Sequence, residues 1–232
     1  MAEVDPSDNR IETQAPFSTK EEQYALVVLH RERLADLLAR LEPEQWDHAT
    51  LCREWAVRHV VGHLLTPALR SSWRTLGTSI RSLGLARGLD RTARDIGSLP
   101  PEELVRLLRA HVENVWIPPT MGLPAPLTDI LVHTQDIARP LGLDVPVAAE
   151  HVDPALTFCV SRRSNQLFGP ARRYAGVRLI ATDLKWKCGK GPEVHGPALE
   201  LLMAVTGRPS ALENLEGEGV AILAKRLRVK AT

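Results

Sequence analysis

Three polar residues stand at helical spacing on one stretch of the chain: Asp129, His133 and Asp136, at i, i+4 and i+7. At about 3.6 residues per turn they share one face. A carboxylate and an imidazole one turn apart can chelate a single divalent ion. Such a pair needs a third ligand from another element. His63 is the candidate, because neighbouring helices of a bundle face each other. The same pattern also occurs on plain solvated faces. The face carrying Asp129, His133 and Asp136 turns mostly away from Ile130, Leu131 and Ile137, and His63 lies about 60° from Val60 around its helix. Spacing therefore leaves both readings open, metal ligands or solvated polar residues.

The other titratable residues offer less. His30, His48, His59, His111, His151 and His195 have no partner at ligand spacing and read as surface or hydrogen-bonded histidines. Cys52, Cys159 and Cys188 are widely spaced, without a C-x-x-C pair. They form neither a disulfide framework nor a zinc ribbon, and they suit a reducing, cytoplasmic setting. Cys52 and Cys188 could serve as ligands or nucleophiles, but small buried residues are the default reading. The chain contains no G-x-S-x-G, P-loop or G-x-G-x-x-G pattern. The glycine-rich string CGKGPEVHGP, Cys188–Pro197, lacks the Walker spacing.

The elements that must carry these residues are mostly helical. Residues 1–17 read as a disordered tail. Ser18-Thr19-Lys20-Glu21 has capping-box spacing, and Tyr24, Val27, Val28, Leu34, Leu38 and Leu41 then follow a helical period up to Pro43. A second helix runs from about Glu54, with Val57, Val60, Val61, Leu64 and Ala68 on its stripe and Pro67 kinking or ending it. Residues 77–99, with four glycines, read as weak helix or a mobile connection. Pro100-Pro101-Glu102-Glu103 starts a third helix reaching about 115. Prolines and a glycine from 118 to 126 make a turn-rich link. A fourth helix spans about 126–139, with Leu127, Ile130, Leu131, Ile137 and Ala138 on one side. A fifth follows over about 146–165. The character changes near Gly169-Pro170. Tyr174–Thr182 reads as a strand and 186–194 as a turn. A helix over 196–205 and a last apolar run, 220–227, complete the chain. The expected architecture is a helical bundle over 18–168 and a small α+β domain over 169–232.

Composition narrows the function. Lys and Arg number 29 against 28 Asp and Glu, so the formal net charge is +1. That balance leaves no electrostatic footprint for nucleic acid or an anionic membrane. No stretch approaches about 18 apolar residues, and the polar N-terminus shows no signal peptide. With 232 residues the chain can bury a core without disulfides.

Three strings together resemble one family: LEPEQWDHATLCREWAVRHVVGHL (Leu41–Leu64), DILVHTQDIARPLG (Asp129–Gly142) and ATDLKWKCGKGPEVHGPALELLMAVTGR (Ala181–Arg208). In this order and spacing the chain is similar to the mycothiol-dependent maleylpyruvate isomerase-like proteins, over roughly residues 22–228. The resemblance implies a mostly α fold, a DinB-like up-down helical bundle followed by a small sterol-carrier-like α+β domain. It implies a divalent metal, usually zinc, on His63, Asp129 and His133. The acidic position is Asp here, where the family more often has Glu, so its reach is one methylene shorter. Asp136 matches the continuation of that helix motif, as an orienting partner of His133 or a catalytic group. The family's C-terminal arginine, linked to the acidic substrate or thiol, falls on Arg226 or on Arg228.

The activity this implies is metal-dependent use of a low-molecular-weight thiol, mycothiol, to isomerise or conjugate a small electrophile. The implied partners are that electrophile and the thiol, with no nucleic acid or membrane, in a monomer or homodimer. A second reading keeps the metal for hydrolysis, with Asp136 as general base. A third is a non-catalytic metal- or ligand-binding protein.

Overall fold

A computed structural model describes residues 11–13, 19–69, 85–117, 121–162, 164 and 171–228. It divides into two compact units, one of residues 24–117 and 129–145, the other of 1–23, 118–128 and 146–232. The domain boundary expected near Gly169-Pro170 lies outside the described residues, as do residues 77–84 of the uncertain glycine-rich segment. No described helix is long and apolar enough to cross a membrane.

The first unit is helical. Helix α1 is Lys20–Leu38. Its capping box falls one residue later than the expected pair. Glu22 N donates to Thr19 Oγ1 at 3.1 Å, and Thr19 N donates back to Glu22 Oε2 at 2.7 Å. A short 3₁₀ turn, Pro43–Asp47, buries Trp46. Helix α2 is Val57–Leu69 and runs on through Pro67. Helix α3, Leu85–Gly97, occupies the segment read as weak helix or connection. Its buried residues are Ile96 and four small ones, Gly88, Thr92, Ala93 and Gly97. The glycines lower helix propensity, but Ala93 and Gly97 let α3 lie close against α2. Helix α4 is Pro101–Ala110. Helix α5, Pro124–Ala138, contributes its part from Asp129 onward. Val27, Leu34, Leu38, Val60, Val61, Leu104, Ile130, Leu131 and Ile137 are all buried.

The second unit carries a four-stranded sheet in the order β1-β3-β2-β4. Its strands are β1 (Ile11–Thr13), β2 (Arg178–Ala181), β3 (Trp186–Gly189) and β4 (Glu193–Gly196). Strands β1 and β2 flank β3 antiparallel, and β4 lies parallel to β2. Three expectations are corrected here. Residues 11–13, read within a disordered tail, pair with β3, and Glu12 forms a 2.7 Å ion pair with Lys187. The stretch 186–194, read as a turn, holds two strands. Gly189 and Gly191, at φ of 86° and 122°, bend the chain tightly between them. Tyr174 ends a short helix, Ala171–Tyr174 (α7), and the strand begins only at Arg178. Helix α6 (Ala149–Val160) meets the sheet through Trp186 Nε1, which donates to Thr157 Oγ1 at 3.0 Å. Helices α8 (Ala198–Val205) and α9 (Val220–Arg228) complete the unit.

Candidate metal centre

Helices α2 and α5, with the loop 48–56, position the site. Gly62 precedes His63 on α2. A Cβ there would run into the Ala93 carbonyl oxygen, and one on Gly97 would lie 2.7 Å from Arg58 O. So α2 and α3 touch backbone to backbone, and that contact fixes the height of His63. The loop is braced from within: Thr50 Oγ1 donates to Trp55 O at 2.8 Å, and Cys52 N donates to Thr50 Oγ1 at 3.1 Å. Leu51 N donates to Asp136 O at 3.1 Å, tying the loop to α5. Glu54 adopts a left-handed φ of 65°, and Arg94 Nη2 donates to its carbonyl at 3.0 Å. The next residue, Trp55, donates from Nε1 to Asp90 Oδ1 at 2.7 Å and sets its ring 5.3 Å from that of His63.

His63, Asp129 and His133 converge, their donor atoms all lying within 4.8 Å of one another. Asp129 Oδ1 is 3.5 Å from His63 Nε2 and 3.3 Å from His133 Nε2. Both separations exceed the usual ~2.7–3.2 Å of an N–H···O bond. They match the edge of a tetrahedron around an ion whose bonds are about 2.0–2.1 Å, which is about 3.3–3.4 Å. The Asp129 side chain remains 43% exposed, against 23% for His63 and 12% for His133. The cluster is therefore open on the carboxylate's side. Two imidazoles and a carboxylate are the donors a divalent ion with an open position takes. The residues fit such an ion.

The far nitrogens of the two imidazoles differ. His133 Nδ1 donates at 2.9 Å to Oδ2 of Asp136, whose side chain is fully buried. Cys52 Sγ donates to the same oxygen at 3.0 Å. His63 Nδ1 is buried and has no hydrogen-bond partner among the described residues. Burial works to lower the His133 pKa, but Asp129 and Asp136 outweigh it and hold it well above the usual histidine range. Burial likewise works to raise the Asp129 carboxyl, and His63 and His133 hold it well below the usual carboxylate range. The result without a metal is a mutually stabilised ion pair.

Arg31 on α1 adds a cation that sequence reasoning passed over. Its Nη1 donates to the carbonyls of His111, Val112 and Asn114 at 3.4, 3.3 and 3.0 Å, and its charge interacts with Asp129. Cys52 was noticed in the sequence but not joined to Asp136 or His133. No spacing rule links residues 84 apart, and only the returning loop brings them together. Arg226 lies on α9, where Nη1 donates to Ala175 O and, at 3.2 Å, to Arg173 O. The side chain of Arg228 lies outside the described residues. Cys159 and Cys188 are buried, and burial pushes both thiols up to about 12. Of the other histidines, His30 is buried, and His59 Nδ1 accepts from Ala56 N at 3.1 Å.

A helical bundle carrying a two-histidine, one-carboxylate cluster, followed by a small sheet-bearing unit, is the mostly α fold class expected from the sequence. Residues 28–116 match the family model of the mycothiol maleylpyruvate isomerase N-terminal domain, which bears out the family resemblance of the sequence. A crystal structure of the mycothiol-dependent maleylpyruvate isomerase shares the fold at a TM-score of 0.62 and 13% identity, covering 87% of this chain and 93% of that one. The crystal structure of a histidine-to-alanine mutant of that enzyme matches at a TM-score of 0.60, with the same identity and coverage. None of the curated proteins compared matches in sequence.

Proposed function

We propose that the chain is a metal-dependent enzyme that uses a low-molecular-weight thiol, mycothiol, to isomerise or conjugate a small electrophilic substrate. One observation carries the metal reading. Asp129 Oδ1 stands 3.3 and 3.5 Å from two imidazole nitrogens, spaced for a shared ion rather than for hydrogen bonds. The family model and the shared fold support the thiol. A divalent ion there, zinc by preference, would favour the thiolate form of a bound thiol, which is the nucleophilic form.

The chain's own residues do the rest. His63 and His133 present Nε2, and Asp129 presents one carboxylate oxygen. Asp136 accepts the Nδ1–H of His133 and so keeps the Nε2 lone pair directed at the cluster. Arg226 is the candidate for a substrate carboxylate or for the thiol cosubstrate, through nitrogens other than Nη1. The hydrolytic alternative is less favoured, because Asp136, its general base, is fully buried and its Oδ2 accepts from His133 and Cys52.

The test is elemental analysis of the purified protein beside His63→Ala and His133→Ala, followed by turnover with and without mycothiol. About one equivalent of metal, lost in both variants, together with thiol-dependent turnover, is the expected result. Full metal content in His133→Ala, or no uptake after incubation with zinc, overturns the site. Turnover without any thiol would favour hydrolysis. Metal without turnover on electrophiles would favour a binding protein.

A further inference from the structure

We infer that Cys52 is a positioning residue for His133, acting through the Asp136 oxygen that both share. This rests on the reading of His63, Asp129 and His133 as a metal site. The Cys52 thiol donates to Asp136 Oδ2 at 3.0 Å, and the His133 Nδ1–H donates to the same atom at 2.9 Å. Two donors on one oxygen fix the rotation of the Asp136 carboxylate. That carboxylate is wholly buried, so bulk water cannot replace a lost donor.

The backbone around the thiol is itself fixed. Cys52 N donates to Thr50 Oγ1, and Leu51 N donates to Asp136 O, the carbonyl of the same residue whose side chain the thiol holds. The loop thus grips Asp136 at both its main chain and its carboxylate. His63 supplies the contrast, since its Nδ1 has no partner among the described residues. Among the described residues, His133 alone of the two imidazoles has its far nitrogen held.

The thiol is 3.5 Å from His133 Nδ1, the ring nitrogen bonded to Asp136 and not the one that faces Asp129. Cys52 acts on the ligand and not on the metal.

The experiment compares the wild type with Cys52→Ala and Cys52→Ser in zinc titrations against a competing chelator. Losing a direct partner of a ligating histidine costs roughly 10–100-fold in affinity, and S–H is a weak donor acting one bond further out, so Cys52→Ala should bind about threefold to tenfold more weakly. Cys52→Ser, which retains a donor, should restore most of that loss. The melting temperature of the metal-free proteins should not follow the same order.

A second readout needs no metal. The infrared S–H stretch of Cys52, isolated as the wild type minus Cys52→Ala difference, should lie below that of an unbonded thiol and rise in Asp136→Asn. Wild-type affinity in Cys52→Ala overturns the inference, as does Cys52→Ser binding as weakly as Cys52→Ala. A thiolate-to-cobalt charge-transfer band that vanishes in Cys52→Ala also overturns it, because the thiol would then be a ligand. If the wild type takes up no metal but the S–H stretch is shifted, the metal reading fails and the Cys52–Asp136 bond stands. An unshifted stretch overturns the inference whatever the metal result.

Discussion

Metal uptake should expel a proton, and that proton should come from His133. In the metal-free site this imidazole lies between two carboxylates, with Nε2 at 3.3 Å from Asp129 and Nδ1 at 2.9 Å from Asp136. Burial opposes the charged form, but the two carboxylates stabilise the imidazolium and lift its pKa well above the usual histidine range. An ion on Nε2 must displace that proton. Below the raised pKa, each unit of pH should therefore tighten metal binding about tenfold, with about one proton released per ion. Each unit by which the pair lifts His133 costs the metal about 1.4 kcal/mol in that range.

The sign for stability without metal runs the other way. His133's raised value gives stability that is complete below its unfolded pKa and is lost as pH rises through the folded one. Asp129's lowered value gives stability present above its unfolded pKa and lost as pH falls through the folded one. The metal-free protein should thus be most stable between the two, and the advantage of the metal-bound form should grow on the alkaline side. Calorimetric zinc titrations in two buffers of different ionisation heat, near pH 7, count the protons. Asp136→Asn removes one of the two carboxylates and should lower the number released. Zinc binding without proton release, or a wild-type proton count in Asp136→Asn, would refute the reasoning.

Two further substitutions test the supports of the site. Gly62→Ala places a methyl against the Ala93 backbone, which cannot swing aside like a side chain, so it should cost about 1–3 kcal/mol in a denaturant midpoint. It should also weaken metal binding by displacing the adjacent His63. Arg226→Ala removes the donor to the Arg173 and Ala175 carbonyls and should cost roughly 1–3 kcal/mol of stability. A catalytic role for Arg226 requires an additional loss in turnover that correcting for the folded fraction does not remove.

The helices were legible wherever an apolar stripe ran for about two turns or more. Helices α2 and α5 follow the stripes of Val57–Leu64 and Ile130–Ile137, and they carry the three candidate ligands. Helix α3 was obscured because its glycines signal weakness when read alone, yet Gly97, with Ala93, is where it packs against α2. The sheet was least visible. Strands of three or four residues hold too few alternations to register, and β1 pairs with a segment some 175 residues away (Ile11 with Cys188). The spacing of Asp129, His133 and Asp136 showed a shared face but not which atoms meet. Asp136 turned out to lie behind His133, wholly buried. That required the loop at Leu51 and Cys52 to close over α5, a long-range contact that periodicity does not encode.

The shorter acid at position 129 can now be judged by geometry. From sequence, Asp in place of the commoner Glu suggested insufficient reach, so that Asp129→Glu should maintain or tighten metal binding. The structure argues the opposite. Asp129 Oδ1 already stands at tetrahedral-edge distance from both imidazole nitrogens, so no gap is left to fill. One further methylene lengthens the side chain by about 1.5 Å. Because α2 and α3 are in backbone contact at Gly62, His63 cannot retreat to accommodate it, and His133 is held from behind by Asp136. The added length must be taken up by folding the glutamate back, at the cost of rotamer freedom and of the two matched distances. Asp129→Glu should therefore weaken zinc binding by about tenfold, or about 1.4 kcal/mol, with the fold intact by circular dichroism. Binding equal to or tighter than that of the wild type would mean that the carboxylate does not ligate through Oδ1 as placed, and that the site has slack the observed distances do not show.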